Sequence, residues 1–302
     1  MKARTLRPRA TLRQAGLTLV ELMVAMVIGL VVIGAVLATY LGSIGSGRGT
    51  TALGQITEDA DIALRLLRTH LSMADFSRPY AATAGSGFTR ILQGKVMGVF
   101  GCDGGFATHT KANAPGDATN TDPLTCVGDA DAAKDKVPDA LAIRYEADTS
   151  NAYAPAATGV PTDCLGQALT INLAAGGIPA HYMADNRFIV TAGSSLSCAG
   201  NGNAFTSQPL VDNVVNLQLR YGVAAAAAPG QVQQYLTASA VTTANAWPQV
   251  VSVRACIVVS SEGSVMDAIT PYYGCSNELI TPTDLKMYRA FTTTVMLQNR
   301  TL

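Results

Sequence analysis

The chain has 302 residues, enough for one large or two small domains with a full core. Basic and acidic side chains balance at 21 each, so the basic excess of a nucleic-acid-binding surface is absent. Only 14% of residues are charged and Ala, Gly, Thr and Val are abundant, a composition that suits an exported β-rich domain with long polar loops and argues against a helical bundle.

The first sixteen residues carry Lys2, Arg4, Arg7, Arg9 and Arg13 and no acid. After Gly16-Leu17-Thr18-Leu19-Val20-Glu21 comes an uncharged apolar run from Leu22 to Leu41. Rising about 1.5 Å per residue, a helix over this run reaches about 30 Å, the thickness of a bilayer's hydrocarbon core. The run is therefore predicted to cross a membrane, with the basic leader in the cytoplasm and the remainder exported. Glu21 stands out, because a carboxylate in lipid costs roughly 2.5 to 3.5 kcal/mol and so implies a partner. In an ordinary secretory signal a small-residue cleavage site follows the apolar region, whereas Ala15-Gly16 precede it. Cleavage there would remove the leader, keep the helix and leave 16 basic against 21 acidic side chains. The plainer alternative is a signal anchor with Glu21 snorkelling at the interface.

Gly42, Gly45, Gly47 and Gly49 come next, each costing about 1 kcal/mol against alanine, which predicts a locally soft helix or a juxtamembrane linker. Leu53, Ile56, Ala60, Ala63, Leu67, Leu71 and Ala74 then recur at steps of three and four, one apolar stripe of an amphipathic helix that should pack on a sheet. It is expected to end by Arg78-Pro79.

Beyond residue 90 the period changes to two. Alternation predicts strands at Leu141 to Tyr145, Val211 to Tyr221, Val251 to Val259 and Tyr288 to Leu297. Weaker candidates are Lys95 to Phe100, Ala168 to Leu173 and Arg187 to Thr191. Loops are expected at 101–138 and, where five alanines run into Pro229-Gly230, at 222–230.

All six cysteines, Cys102, Cys126, Cys164, Cys198, Cys256 and Cys275, lie beyond the apolar run, and the closest pair is 19 residues apart, so no CxxC exists. An even count on the exported side favours disulfides over free thiols or a metal site. Of the fifteen connectivities possible for six cysteines, sequential pairing closes the shortest loops and is the one expected. His70, His109 and His181 form no ligand pattern, and His70 reads as packing or surface. Asp129, Asp131, Asp135 and Asp139 could offer oxygen ligands to calcium but lack EF-hand spacing, which favours a solvated loop. No nucleophile elbow, phosphate-binding loop or dinucleotide fingerprint occurs, so no enzyme, cofactor or small-molecule substrate is expected.

The basic leader, Ala15-Gly16, Glu21 and the apolar run, at this spacing, resemble the class III signal of type IV pilins and type II secretion pseudopilins. The resemblance implies cutting by a prepilin peptidase between Gly16 and Leu17, methylation of Leu17, and Glu21 as the fifth mature residue. The family's first mature residue is most often Phe, and Leu17 departs from that. A new amino group at Leu17 would be positive, and Glu21 of an adjacent helix could neutralise it during filament growth.

The segments Asp61 to Leu71, Asp139 to Tyr145, Val214 to Gly222, Val251 to Ser260 and Tyr288 to Arg300, in this order, resemble those of PilW-type minor pilins. The fold implied is α+β and type IV pilin-like, a long amino-terminal helix packed on an antiparallel sheet. Its parts would be a leader (1–16), a transmembrane and polymerisation helix (17–41), an amphipathic half (42–78) and an exported β-rich domain (79–302). The function implied is a minor pilin, an inner-membrane and then fibre protein that helps start assembly and sits near the tip. Its partners would be other minor pilins, the major pilin, the prepilin peptidase and the inner-membrane assembly platform, without direct nucleic-acid binding. A J-type pseudopilin of a type II secretion system, or a membrane-anchored exported enzyme or DNA-uptake receptor, are the alternatives.

Overall fold

Thr18 opens the amino-terminal helix, accepting at its hydroxyl the Glu21 N–H (3.3 Å) and at its carbonyl the Leu22 N–H (3.2 Å). A Thr at the N-cap covers one of the amide donors that a helix start leaves open. The computed structural model describes residues 16, 18–81, 88–92, 97–111, 124–127, 137–174, 177–225 and 228–300. They fall into two units, 1–50 and 51–302. Helix α1 (Leu19–Met73) contributes to both.

In the first unit α1 presents apolar side chains on every side, and none from Leu19 to Leu41 is buried. The glycines at 42 to 49, expected to soften the helix, leave it unbroken. In the second unit Ala52, Ile56, Ala60, Ala63, Leu67 and Leu71 are buried, and Leu53, expected on the stripe, is only half-buried. Three alanines in this stripe let the backbone approach the sheets closely.

The helix ends at Met73, five residues before the expected boundary, because tertiary contacts build its cap. Asp75 takes a left-handed backbone (φ 60°), and the Asn299 amide donates to the carbonyls of Ser72 (3.2 Å) and Ala74 (2.9 Å). Carbonyls that a helix end leaves open are thereby satisfied from a residue more than 220 positions away.

Strands β1 (Tyr80–Ala81) and β2 (Phe88–Thr89) form a small ribbon. The first large sheet contains β3 (Val99–Cys102), β4 (Ala140–Ala147), β5 (Ile171–Asn172), β6 (His181–Thr191), β7 (Ser195–Gly200) and β8 (Ser207–Asp212). Its order is β3-β4-β6-β7-β8, with β5 also on β6 and every pair antiparallel. The second sheet contains β9 (Val214–Ala225), β10 (Ala228–Leu236), β11 (Val250–Ser260) and β14 (Tyr288–Met296), in the antiparallel order β10-β9-β11-β14. A short helix, α2 (Ala238–Thr243), precedes β11, and a ribbon of β12 (Tyr272–Tyr273) and β13 (Leu279–Ile280) interrupts the path to β14.

The stretch 222–230, expected as a loop, carries the end of β9 and the start of β10. Ala224, Ala225 and Ala228 are drawn into strand by pairing between β9 and β10, a tertiary override of weak local preference. Much of 101–138, with Asp129, Asp131 and Asp135, lies outside the described residues.

The sheets meet where Asp139 enters β4. Its N–H donates to Leu217 O (2.7 Å), and its carboxylate accepts from Leu219 N (2.7 Å) and Gly104 N (3.2 Å). The core joins the α1 stripe to Leu141, Ile143 and Phe188 of one sheet and Leu217, Leu219, Val253 and Ile257 of the other. The fold is α+β, a long helix whose second part lies on antiparallel sheets.

Candidate assembly site

Glu21 is the third helical residue after Thr18, and the two form the Thr-x-x-Glu pattern of a helix start. A carboxylate in a first turn gains from the helix dipole, typically 0.3 to about 1 kcal/mol, which offsets only part of its cost in lipid. Its side chain is exposed and turned to no other part of the described chain. Sequence reasoning missed Thr18, although its spacing from Glu21 was readable. Among the described residues, a Cβ built on Gly16 would meet nothing within 4 Å. Leu17 lies outside the described residues.

A helix apolar all round and unburied by its own chain needs lipid or other helices around it. From residue 51 onward the outer face of α1 instead carries Glu58, Asp61, Arg65 and Thr69 around a half-exposed Ile62 (46%). Arg65 and Asp61 pair at 2.5 Å one helical turn apart, an exposed ion pair worth little by itself.

The titratable groups nearest the core are occupied structurally. His70 sits 5.1 Å, centroid to centroid, from Phe188 and within 3.3 Å of the Asn186 amide. Burial lowers its pKa to about 4, so it is neutral and packed, as expected. Asp185 lies between Arg144 and Arg187, both at 3.1 Å, while Arg187 also donates to the carbonyls of His109 (2.5 Å) and Lys111 (2.6 Å). Glu146 takes both the backbone N–H and the Nε of Arg78. Among the described residues no three His, Cys, Asp or Glu side chains gather as a metal site. The cysteines form Cys102–Cys126, Cys164–Cys198 and Cys256–Cys275, the sequential pairs.

The chain thus offers an apolar helix run with one carboxylate, and a disulfide-bonded head in which Asp185, Arg187 and Glu146 are paired internally. Residues 11–37 match the family model for the prokaryotic N-terminal methylation motif. Residues 174–299 match the model described as Type IV Pilus-assembly protein W. These are the matches expected of a type IV minor pilin of the PilW type.

The PilW match covers β6 through β14, both the outer half of the first sheet and the whole of the second. It favours the pilus over the J-type pseudopilin. No curated protein matches the chain. Among solved structures, a type IV-like pilin from Thermus thermophilus is similar at 12% identity and a TM-score of 0.29, covering 56% of this chain and 81% of that one. A likeness at that level carries no functional weight. The PilW and methylation-motif matches point to a structural protein anchored by its apolar helix.

Proposed function

We propose that this minor pilin helps to start pilus assembly and then sits at or near the fibre tip. The observation that carries the reading is the pairing of a polymerisation helix, unburied from Leu19 to Leu41, with a head that runs on to residue 300 through two sheets and three disulfides. The helix supplies a membrane reservoir and the Glu21 contact. The head is bulky for close lateral repetition in a helical fibre, and a tip position gives it few neighbours.

In this reading the leader stays in the cytoplasm, prepilin peptidase cuts between Gly16 and Leu17, Leu17 is methylated, and the head folds in the periplasm. Glu21 then meets the Leu17 amino group of a neighbouring helix. The other minor pilins, the major pilin and the assembly platform are its partners.

Intact mass of the membrane-extracted protein should equal that of a chain starting at methylated Leu17, and Gly16→Val should retain the leader. Quantified against the major pilin in sheared fibres, the protein should be present in trace amounts, with piliation lost on deletion. Near-equal amounts would rule out the tip.

A further inference from the structure

Three of the four outer sheet edges are blunted. Strand β3 has only four residues, all buried. Strand β8 contains Pro209 and a register shift against β7, and β10 contains Pro229 and two register shifts against β9. Proline, bulges and shortness are the usual defences of an edge whose unpaired N–H and C=O groups would otherwise recruit another strand. The fourth edge, β14, has none of them. It pairs with β11 from Ser252↔Met296 to Ser260↔Tyr288 without a shift, contains no proline, and has Arg289 as its one charge. Among the described residues no strand pairs with its other side.

Beside this edge runs a groove of about 400 Å³ between β14 and α1, lined by Arg68, Thr69, Ser72, Thr294, Met296 and Gln298. Thr292, Thr294 and Met296 are exposed, whereas Thr293 and Val295 face inward and Arg68 donates to the Thr293 hydroxyl (2.8 Å). A strand laid along β14 would gain main-chain hydrogen bonds and would send alternate side chains toward the groove. Arg68 is the one charged residue of the groove lining, so it selects an acidic side chain on that strand.

We infer that the free edge of β14 is the docking site for an extended strand, carrying a carboxylate opposite Arg68, from the head of a neighbouring pilin. This rests on the minor-pilin reading and specifies which surface of the head makes the contact. It places the head-to-head contact next to α1, so that one neighbour meets both helix and sheet.

The test uses full-length protein in piliated cells, with a photo-crosslinking residue placed at Thr294 or at Met296, and in parallel at Ile62 on the outer face of α1. Irradiation should join the β14 probes to a different pilin, with the adduct mapping to a strand of its head. Thr292→Lys and Arg68→Glu should each lower that adduct about tenfold while the unfolding midpoint stays near wild type. Adducts from Ile62 but none from β14, adducts only to a second copy of this chain, or yields insensitive to both substitutions would overturn the docking site and leave the minor-pilin reading standing. Absence of pilin adducts at every position, with piliation independent of the protein, would overturn both.

Discussion

The Arg300 guanidinium pairs with the Asp75 carboxylate, tying the turn after β14 to the cap of the amino-terminal helix. Both side chains are largely buried. Arg300 also donates to the carbonyls of Trp247 (2.6 Å) and Val250 (3.1 Å), and Asp75 accepts from Gly98 N (2.9 Å). Arg300→Ala should therefore cost about 3 kcal/mol, because it strands a carboxylate and uncovers two carbonyls. Asp75→Asn should cost less, since an amide oxygen can still accept from Gly98. Urea unfolding with the disulfides intact checks the order, and equal losses would contradict it.

Substitutions at Glu21 and Thr18 should separate assembly from folding. Glu21→Ala should insert and fold normally, since removing a carboxylate from lipid is favourable, yet fail to enter filaments. Thr18→Ala should cost about 1 kcal/mol of helix-start stability and leave assembly near wild type. Measuring incorporation of each variant into sheared fibres decides the matter. Equal incorporation of Glu21→Ala and wild type would refute the charge-pair mechanism.

Acid should act on two buried groups with opposite signs. Burial lowers His70 to about 4 from 6.5, so between those pH values the unfolded chain holds the extra proton and stability rises with pH. Burial, helped by nearby Asp103 and opposed by the Leu219 and Gly104 amides, raises Asp139 from 3.8 to about 7. Across that window the folded chain holds the extra proton and stability falls as pH rises. His70→Gln removes the first contribution. Going from pH 4.5 to 6.5, its unfolding free energy should fall by about 2 kcal/mol relative to the wild-type profile. Parallel profiles would show that His70 already protonates in the folded protein.

Thiol labelling of denatured, unreduced protein should find no free cysteine. Replacing Cys256 and Cys275 together by alanine opens a loop of 19 residues and should cost about 3 kcal/mol by the chain-entropy relation. A cost near zero would mean that the pairs from β11 to β9 and β14 already fix the β12–β13 excursion.

Periodicity carried most of what was legible in the sequence. The apolar run, the stripe from Ile56 to Leu71 and the alternations now seen as β4, β9, β11 and β14 each arise from burying one face of an element. What escaped depends on partners distant in sequence. Strand β6 begins at His181, six residues before the candidate strand Arg187 to Thr191, and buries Asp185, Asn186 and Arg187, whose polarity hides the strand until Arg144 and the carbonyls near His109 are supplied. Strand β7, Ser-Leu-Ser-Cys-Ala-Gly, is wholly buried yet offers no alternation, because both of its faces are covered. The early stop of α1 is set by Asn299, which no local signal near residue 73 announces. At the proposed assembly site, the spacing alone picks out Gly16 and Glu21 as candidates. The unprotected edge of β14 was not, since it shows only when all four edges can be compared.

The sequential order of the disulfides bears on how the chain is oxidised. Emerging amino-terminus first, it presents Cys102 and then Cys126 before Cys164 appears, and Cys164 and then Cys198 before Cys256. A dithiol oxidase joining each cysteine to the last one free would make every native bridge in turn. No pair has to wait for a cysteine beyond an intervening one, so a head exported as proposed would mature during translocation without a thiol isomerase to undo wrong links.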